Sequence, residues 1–144
     1  MQSFHPLVVH FPIALVLTGV AIDALALFMR RPSWHRVALW NLSLGTLGAG
    51  AAVLTGLQAG QVAKHSFEIW EVMELHERLG ITTLIVGLMT VAWRLAHRDR
   101  LSVRARWVTF GLSVVMLASV SWGAYLGGRL VYEFGVGGAF GAIN

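Results

Sequence analysis

The stretch LVVHFPIALVLTGVAIDALALFM, residues 7–29, decides the fold, because it is long and apolar enough to cross a lipid bilayer. A hydrocarbon core of about 30 Å needs about 20 helical residues. Three further stretches meet the same requirement, at 37–62, 79–96 and 107–132. The sequence therefore predicts a single all-α domain, 1–144, that crosses the membrane four times.

The overall composition supports a membrane protein and excludes several other classes. Hydrophobic residues make up 56% of the chain and charged residues only 12%, which is too apolar for an ordinary soluble domain. The absence of cysteine excludes disulfides, Cys-ligated iron–sulfur clusters and covalently attached haem. The net charge of +4 comes mostly from two short connections between apolar stretches. The predicted partner is therefore the lipid bilayer and not nucleic acid.

The connections also predict an orientation. Arginines concentrate in 30–36 and 94–106, whereas the connection between the second and third spans carries most of the glutamates. Basic loops remain in the cytoplasm of bacteria. We therefore expect an antiparallel four-helix bundle in a bacterial inner membrane, with both termini on the periplasmic side.

Small residues recur on two of the predicted spans. In lipid, the burial of apolar side chains contributes little to helix association. Small residues favour association instead, because they allow helices to pack closely. We therefore assign a packing role to the glycines of the second and fourth spans. They are Gly45, Gly48, Gly50, Gly56, Gly60, Gly123 and Gly127.

The histidines fall at the two ends of the spans. Those near the arginine-rich connections, His35 and His97, are explained by contacts at headgroup depth. The other four are expected at the outer ends. They are His5, His10, His65 and His76.

A helical projection places His76 on the apolar side of its helix, above a column of small residues, Gly80, Thr83 and Gly87. His10 is expected at a similar depth on the first helix. Two imidazoles facing each other in a bundle can ligate the iron of a b-type haem, and we include His5 among the residues around it. A buried histidine that bonds to a carbonyl or a tyrosine explains the same pattern without a cofactor.

Aromatic residues and one arginine lie on a stripe near the end of the fourth span. Arg129, with Tyr132 nearby, could meet a haem propionate. The alternative is an aromatic belt at the membrane boundary, with Arg129 paired to Glu133 four residues later.

Asp23 is the one acidic residue inside the first span. A charge in lipid is expensive and marks a functional or structural site. Asn41 is expected at similar depth, and Arg94 could reach Asp23. We favour a structural polar clamp over a proton relay.

The ends of the chain, His5-Pro6-Leu7-Val8-Val9-His10-Phe11-Pro12 and Gly127-Gly128-Arg129-Leu130-Val131-Tyr132, resemble a bacterial membrane family known as domain of unknown function 2231. The resemblance covers essentially the whole chain, and His76 with Gly80 corresponds to a histidine near the start of that family's third helix. It implies a four-helix fold and a redox setting, since relatives occur fused to or beside c-type cytochrome and Rieske-like domains. Many relatives have histidine where this chain has Phe134, which argues against a second haem.

Three functions follow as hypotheses, with no catalytic activity expected of the chain itself. The first is a haem b subunit that passes electrons between a periplasmic redox partner and the membrane. The second is a structural subunit of a larger respiratory or photosynthetic complex. The third is a periplasmic-side metal-binding or transport protein that uses the four outer histidines.

Overall fold

The computed structural model describes residues 5–60, 66–97 and 101–136, and within them the chain is helical apart from short connections. Each helix is long and apolar enough to cross a membrane, which confirms the predicted all-α fold with four spans. The third helix extends beyond its predicted apolar span, 79–96, because the glutamate-bearing segment that carries His76 continues the helix, as the helical projection assumed. The helices are α1 (His5–Phe28), α2 (Pro32–Gly60), α3 (Phe67–His97) and α4 (Val103–Tyr132).

Local sequence signals set the helix ends. Pro32 occupies the first position of α2, where its missing N–H costs nothing. Ser102 caps α4 by accepting a hydrogen bond from the backbone N–H of Ala105. At the other end of α4, Gly135 adopts a left-handed conformation, φ 67°, and the N–H of Val136 returns to the carbonyl of Leu130. This cap turns the chain back toward α4.

Neighbouring helices of the bundle meet start to end. His5, at the start of α1, contacts Thr55 near the end of α2, and Phe28, at the end of α1, contacts Trp107 near the start of α4. Helix α3 meets α2 and α4 in the same way, since Met73 and His76 near its start lie against Gly60 and Gly127 near the ends of those helices. The backbones of α1 and α3 do not approach each other closely, so these two helices lie on a diagonal. The four helices thus surround one core.

Glycines allow the closest helix approaches, as predicted. A Cβ atom added to Gly45 would lie 3.0 Å from Val16 of α1, and one added to Gly48 would lie 3.3 Å from Pro12. On α3, a Cβ at Gly87 would lie 2.6 Å from the hydroxyl of Thr46. A larger residue at any of these positions would require the neighbouring side chains to shift.

The core combines a small apolar cluster with buried hydroxyl groups. Val16, Val20, Leu42 and Met116 form the apolar cluster. Each buried hydroxyl donates to a carbonyl of its own helix three or four residues earlier, so it needs no partner from lipid. The hydroxyl-bearing residues are Thr46, Thr83, Thr90, Thr109, Ser113 and Ser119.

Candidate functional site

Two groups of polar side chains lie at opposite ends of the bundle. We call Asp23, His35 and Arg94 the arginine cluster, and His5, Thr55 and His76 the histidine cluster. The two ends of the bundle are named after them. Of the residues that the sequence marked for chemistry, they contain Asp23, His5 and His76.

The arginine cluster is built on a bidentate ion pair. Arg94 donates from Nη1 to Oδ2 of Asp23 at 2.9 Å and from Nη2 to Oδ1 at 2.8 Å. Asp23 is 1% exposed and Arg94 5%. Because Asp23 belongs to α1 and Arg94 to α3, the pair joins the two diagonal helices through the centre of the bundle.

His35 completes the arginine cluster from α2. Its Nδ1 lies 2.7 Å from Oδ1 of Asp23, and Arg94 Nη2 also donates to its backbone carbonyl at 3.1 Å. In the described residues, every buried side-chain nitrogen or oxygen has a hydrogen-bond partner. Three helices are thereby held by one satisfied polar network, the condition under which buried charges are tolerated.

The sequence identified part of this cluster. Arg94 is the partner expected for Asp23. Asn41, which was also expected at the depth of Asp23, bonds elsewhere. Its side-chain amide donates to the carbonyl of Val37, and its Oδ1 accepts from Thr18. His35 had been explained by its place at the headgroups. Its position was nonetheless informative, because Asp23 and His35 flank the short turn between α1 and α2 and therefore reach a similar depth.

The histidine cluster joins α1, α2, α3 and α4 at the other end. His5 Nδ1 lies 3.0 Å from the hydroxyl of Thr55, and His76 Nδ1 donates to the carbonyl of Gly123 at 2.8 Å. Because a carbonyl can only accept, His76 carries a proton on Nδ1, whereas the direction of the bond between His5 and Thr55 depends on the tautomer of His5.

Each imidazole lies against a glycine. A Cβ at Gly56 of α2 would be 3.0 Å from Cε1 of His5, and a Cβ at Gly127 of α4 would be 3.0 Å from Cε1 of His76. The rings are edge to face, with centroids 6.0 Å apart. The two glycines therefore determine where the rings can lie.

The surroundings favour a neutral His5. Burial and the neighbouring His76 lower the pKa of His5 below its ordinary value of 6.5, against a smaller opposite effect of the Ala52 backbone. A neutral His5 can keep its hydrogen bond to Thr55 without placing a charge beside His76. The contact is suited to holding helices together at neutral pH.

Comparison with known proteins agrees with this architecture. The model of a family described as a predicted membrane protein, domain of unknown function 2231, matches residues 1–139. The chain belongs to this family. No curated protein and no solved structure matches it. The family assignment confirms the resemblance found at the two ends of the sequence and the placement in a membrane.

The predicted haem is wrong for this member of the family. The described residues contain no group of three or more His, Cys, Asp or Glu side chains placed to hold a metal ion. His10 is exposed, and His5 instead lies beside His76. His65, the fourth histidine expected at the outer ends of the spans, lies outside the described residues.

The space proposed for haem below His76 is also filled. Gly80 faces Val53 of α2, where an added Cβ would lie at 3.6 Å. Gly87 faces Thr46 and the methyl end of Met116, and Thr83 is buried with its hydroxyl on the carbonyl of Leu79. The residues that were expected to line a cofactor pocket instead pack against neighbouring helices.

The residues assigned to a haem propionate have other surroundings. Arg129 Nε donates to Glu133 at 2.8 Å, as the alternative interpretation expected, and its guanidinium lies 5.8 Å from the ring centre of Phe134. Tyr132 is 86% exposed. Arg129 and Phe134 belong instead to a groove between α3 and α4 at the histidine end.

Proposed function

We propose that this chain is a non-catalytic, helix-packing subunit of a larger assembly in a bacterial inner membrane, with the histidine end on the periplasmic side. The arginine cluster carries this proposal. Asp23, His35 and Arg94 would be the natural candidates for intramembrane chemistry, yet they bond to one another and tie three helices together. Their geometry supports a structural role.

The histidine cluster supports the same function. Each imidazole bonds to a neighbouring helix, His5 to α2 and His76 to α4. Close packing at Gly56 and Gly127 leaves the rings little freedom to move. Polar contacts at both ends, with glycine contacts between them, produce a rigid bundle suited to presenting a fixed surface.

Helix α2 presents one such surface away from the core. Its exposed side chains recur at alternating spacings of four and three, the spacing at which one helix packs along another. Leu47 is 70% exposed and Leu54 66%. Such a stripe is suited to packing against another transmembrane helix. Its members are Trp40, Leu44, Leu47, Ala51, Leu54 and Gln58.

The proposal is tested by the mass and composition of the particle that contains the chain in its native membrane. A tagged chain at its natural expression level is extracted in mild detergent, and the particle is compared with the purified chain of 15.7 kDa. We expect a larger particle with a fixed set of other chains. A particle made of this chain alone, as a monomer or a homo-oligomer, would contradict the proposal.

A matched pair of variants tests whether α2 provides the surface. The double variant Leu47→Ala with Leu54→Ala truncates two large side chains of the stripe on α2. The double variant Val108→Ala with Val115→Ala truncates two exposed side chains of α4. We expect the first pair to release the chain from the assembly and the second to leave the assembly intact. Equal retention of both would show that α2 is not the contact.

The two other hypotheses lose their main support. Electron transfer through a haem has no site in the described residues. The described residues, which do not include His65, hold no group of three or more side chains that could bind a metal ion at the outer end. Neither activity is therefore part of the proposed function.

A further inference from the structure

The groove at the histidine end lies between the first turns of α3 and the last turns of α4, and its volume is about 330 Å³. This is near the lower end of small-molecule sites, roughly 300–1,000 Å³. Buried Leu126 and partly exposed Val72 and Leu75 provide apolar lining. Its charged and aromatic members are Glu68, Glu71, Arg129 and Phe134.

The groove carries charges of both signs on opposite helices. Glu68 and Glu71 lie on α3, and Arg129 lies on α4. Only the Nε–H of Arg129 is needed for its bond to Glu133, and a guanidinium has four further N–H donors. The groove can therefore receive a cationic group at the α3 side and an anionic group at the α4 side.

The chain itself shapes the α4 side. The left-handed conformation of Gly135 allows the bond from Val136 to Leu130 that closes the helix. Phe134, just before this glycine, turns back so that its ring lies near the Arg129 guanidinium, at 5.8 Å. The aromatic ring and the ion pair with Glu133 hold Arg129 at the edge of the groove.

The position of the groove indicates which molecule fills it. The spanning segments Phe67–His97 and Val103–Tyr132 begin and end here. Trp70 in the first turn of α3 and Tyr132 at the end of α4 are exposed, as aromatic residues are at headgroup depth. We propose that the groove binds the headgroup of a phospholipid with a primary ammonium. The ammonium lies at Glu68 and Glu71, and the phosphate lies at Arg129.

Charge complementarity determines the order of affinity. The two carboxylates of the groove, Glu68 and Glu71, outnumber the one guanidinium of Arg129, which is already paired with Glu133, so an anionic glycerol headgroup is disfavoured. A choline headgroup keeps the positive charge but has no N–H to donate to the carboxylates. The expected order is therefore phosphatidylethanolamine, then phosphatidylcholine, then phosphatidylglycerol. This inference depends on the membrane placement and not on the proposed assembly.

Native mass spectrometry of the purified full chain with these three lipids, matched in acyl chains, tests the proposal. We expect phosphatidylethanolamine to be retained about tenfold better than phosphatidylcholine, the size of effect given by one charge-assisted hydrogen bond. Equal retention of the three lipids would overturn the proposal. This comparison needs no variant and is independent of folding effects.

Substitutions then locate the site. The double variant Glu68→Gln with Glu71→Gln is expected to reduce retention of phosphatidylethanolamine to the level of phosphatidylcholine. Arg129→Gln is expected to reduce the retention of both lipids. The matched control is Glu74→Gln, which lies on the same helix but pairs with Arg78 and does not line the groove. If the control has the same effect, or if the groove variants have none, the lipid binds elsewhere and the proposal is wrong.

Discussion

The imidazole rings of His5 and His76 meet edge to face at one end of the bundle, 6.0 Å apart between centroids. His5 comes from the first turn of α1, and His76 from the part of α3 that extends beyond its most apolar residues. The contact joins diagonal helices, as the ion pair of Asp23 and Arg94 does at the other end. Both diagonal contacts are made by residues that, from the sequence alone, were candidates for a functional site.

Acidification should weaken the His5 contact. Because the pKa of His5 is lowered by folding, the unfolded or undocked state binds the proton more readily. Its contribution to stability is complete above the ordinary value of 6.5 and is lost as the pH falls through 6.5 toward the lowered value. Thermal unfolding between about pH 8 and pH 5 should show this loss, and His5→Gln should remove that part of the pH dependence. An unchanged pH profile in the variant would contradict it.

Gly87→Ala should destabilise the bundle by about 1–3 kcal/mol, because the new methyl group would overpack the core. It would lie 2.6 Å from the Thr46 hydroxyl and 2.9 Å from Met116. The control is Gly128→Ala on α4, where no atom lies within 4 Å of the new Cβ. That variant should be neutral or slightly more stable. Denaturation in mixed micelles measures both, and equal stability of the two would show that the core can adjust at Gly87.

Cysteine labelling should establish the orientation, and the natural chain contains no cysteine that would interfere. Ser66→Cys lies between α2 and α3, and Ser33→Cys lies at the exposed start of α2. A membrane-impermeant maleimide should label Ser66→Cys in intact cells, but Ser33→Cys only after permeabilisation. The reverse pattern would place the arginine end outside.

Protein purified from haem-replete cells should show no Soret band. Added haemin should produce no spectral change that depends on His76, because side chains of neighbouring helices fill the space below its ring. Absorption of wild type and His76→Ala measures this directly. A Soret band that disappears in the variant would restore the haem hypothesis.

The sequence predicts the helices well because lipid imposes a minimum apolar length, and each span meets it independently of the others. It also predicts the partner of Asp23, since Arg94 is a rare charge near the same end of an apolar segment. These predictions need only the position of a residue along one helix.

The candidate site was less predictable because it depends on how several helices fit together. Helix α1 begins at His5 and continues through Pro12, so His5 reaches His76 while His10 is exposed. The column of small residues below His76 looks open on an isolated helix. In the bundle it is filled by Val53, Thr46 and Met116 from two other helices.

The buried polar residues fasten the helices together, and a double-mutant cycle on Asp23 and Arg94 measures how strongly they do so. Asp23→Asn or Arg94→Gln should each cost about 3–5 kcal/mol of unfolding free energy, because each leaves the other residue buried without its partner. The double variant should cost less than the sum by about 1–3 kcal/mol.

The exposed pair of Glu74 and Arg78, 2.6 Å apart on one helix, provides the matched control, with an expected coupling of about 0.3–0.5 kcal/mol. Unfolding in mixed micelles gives both coupling energies under the same conditions. We expect a coupling between Asp23 and Arg94 several times that of the control pair. Additive costs at Asp23 and Arg94, with no coupling, would contradict it.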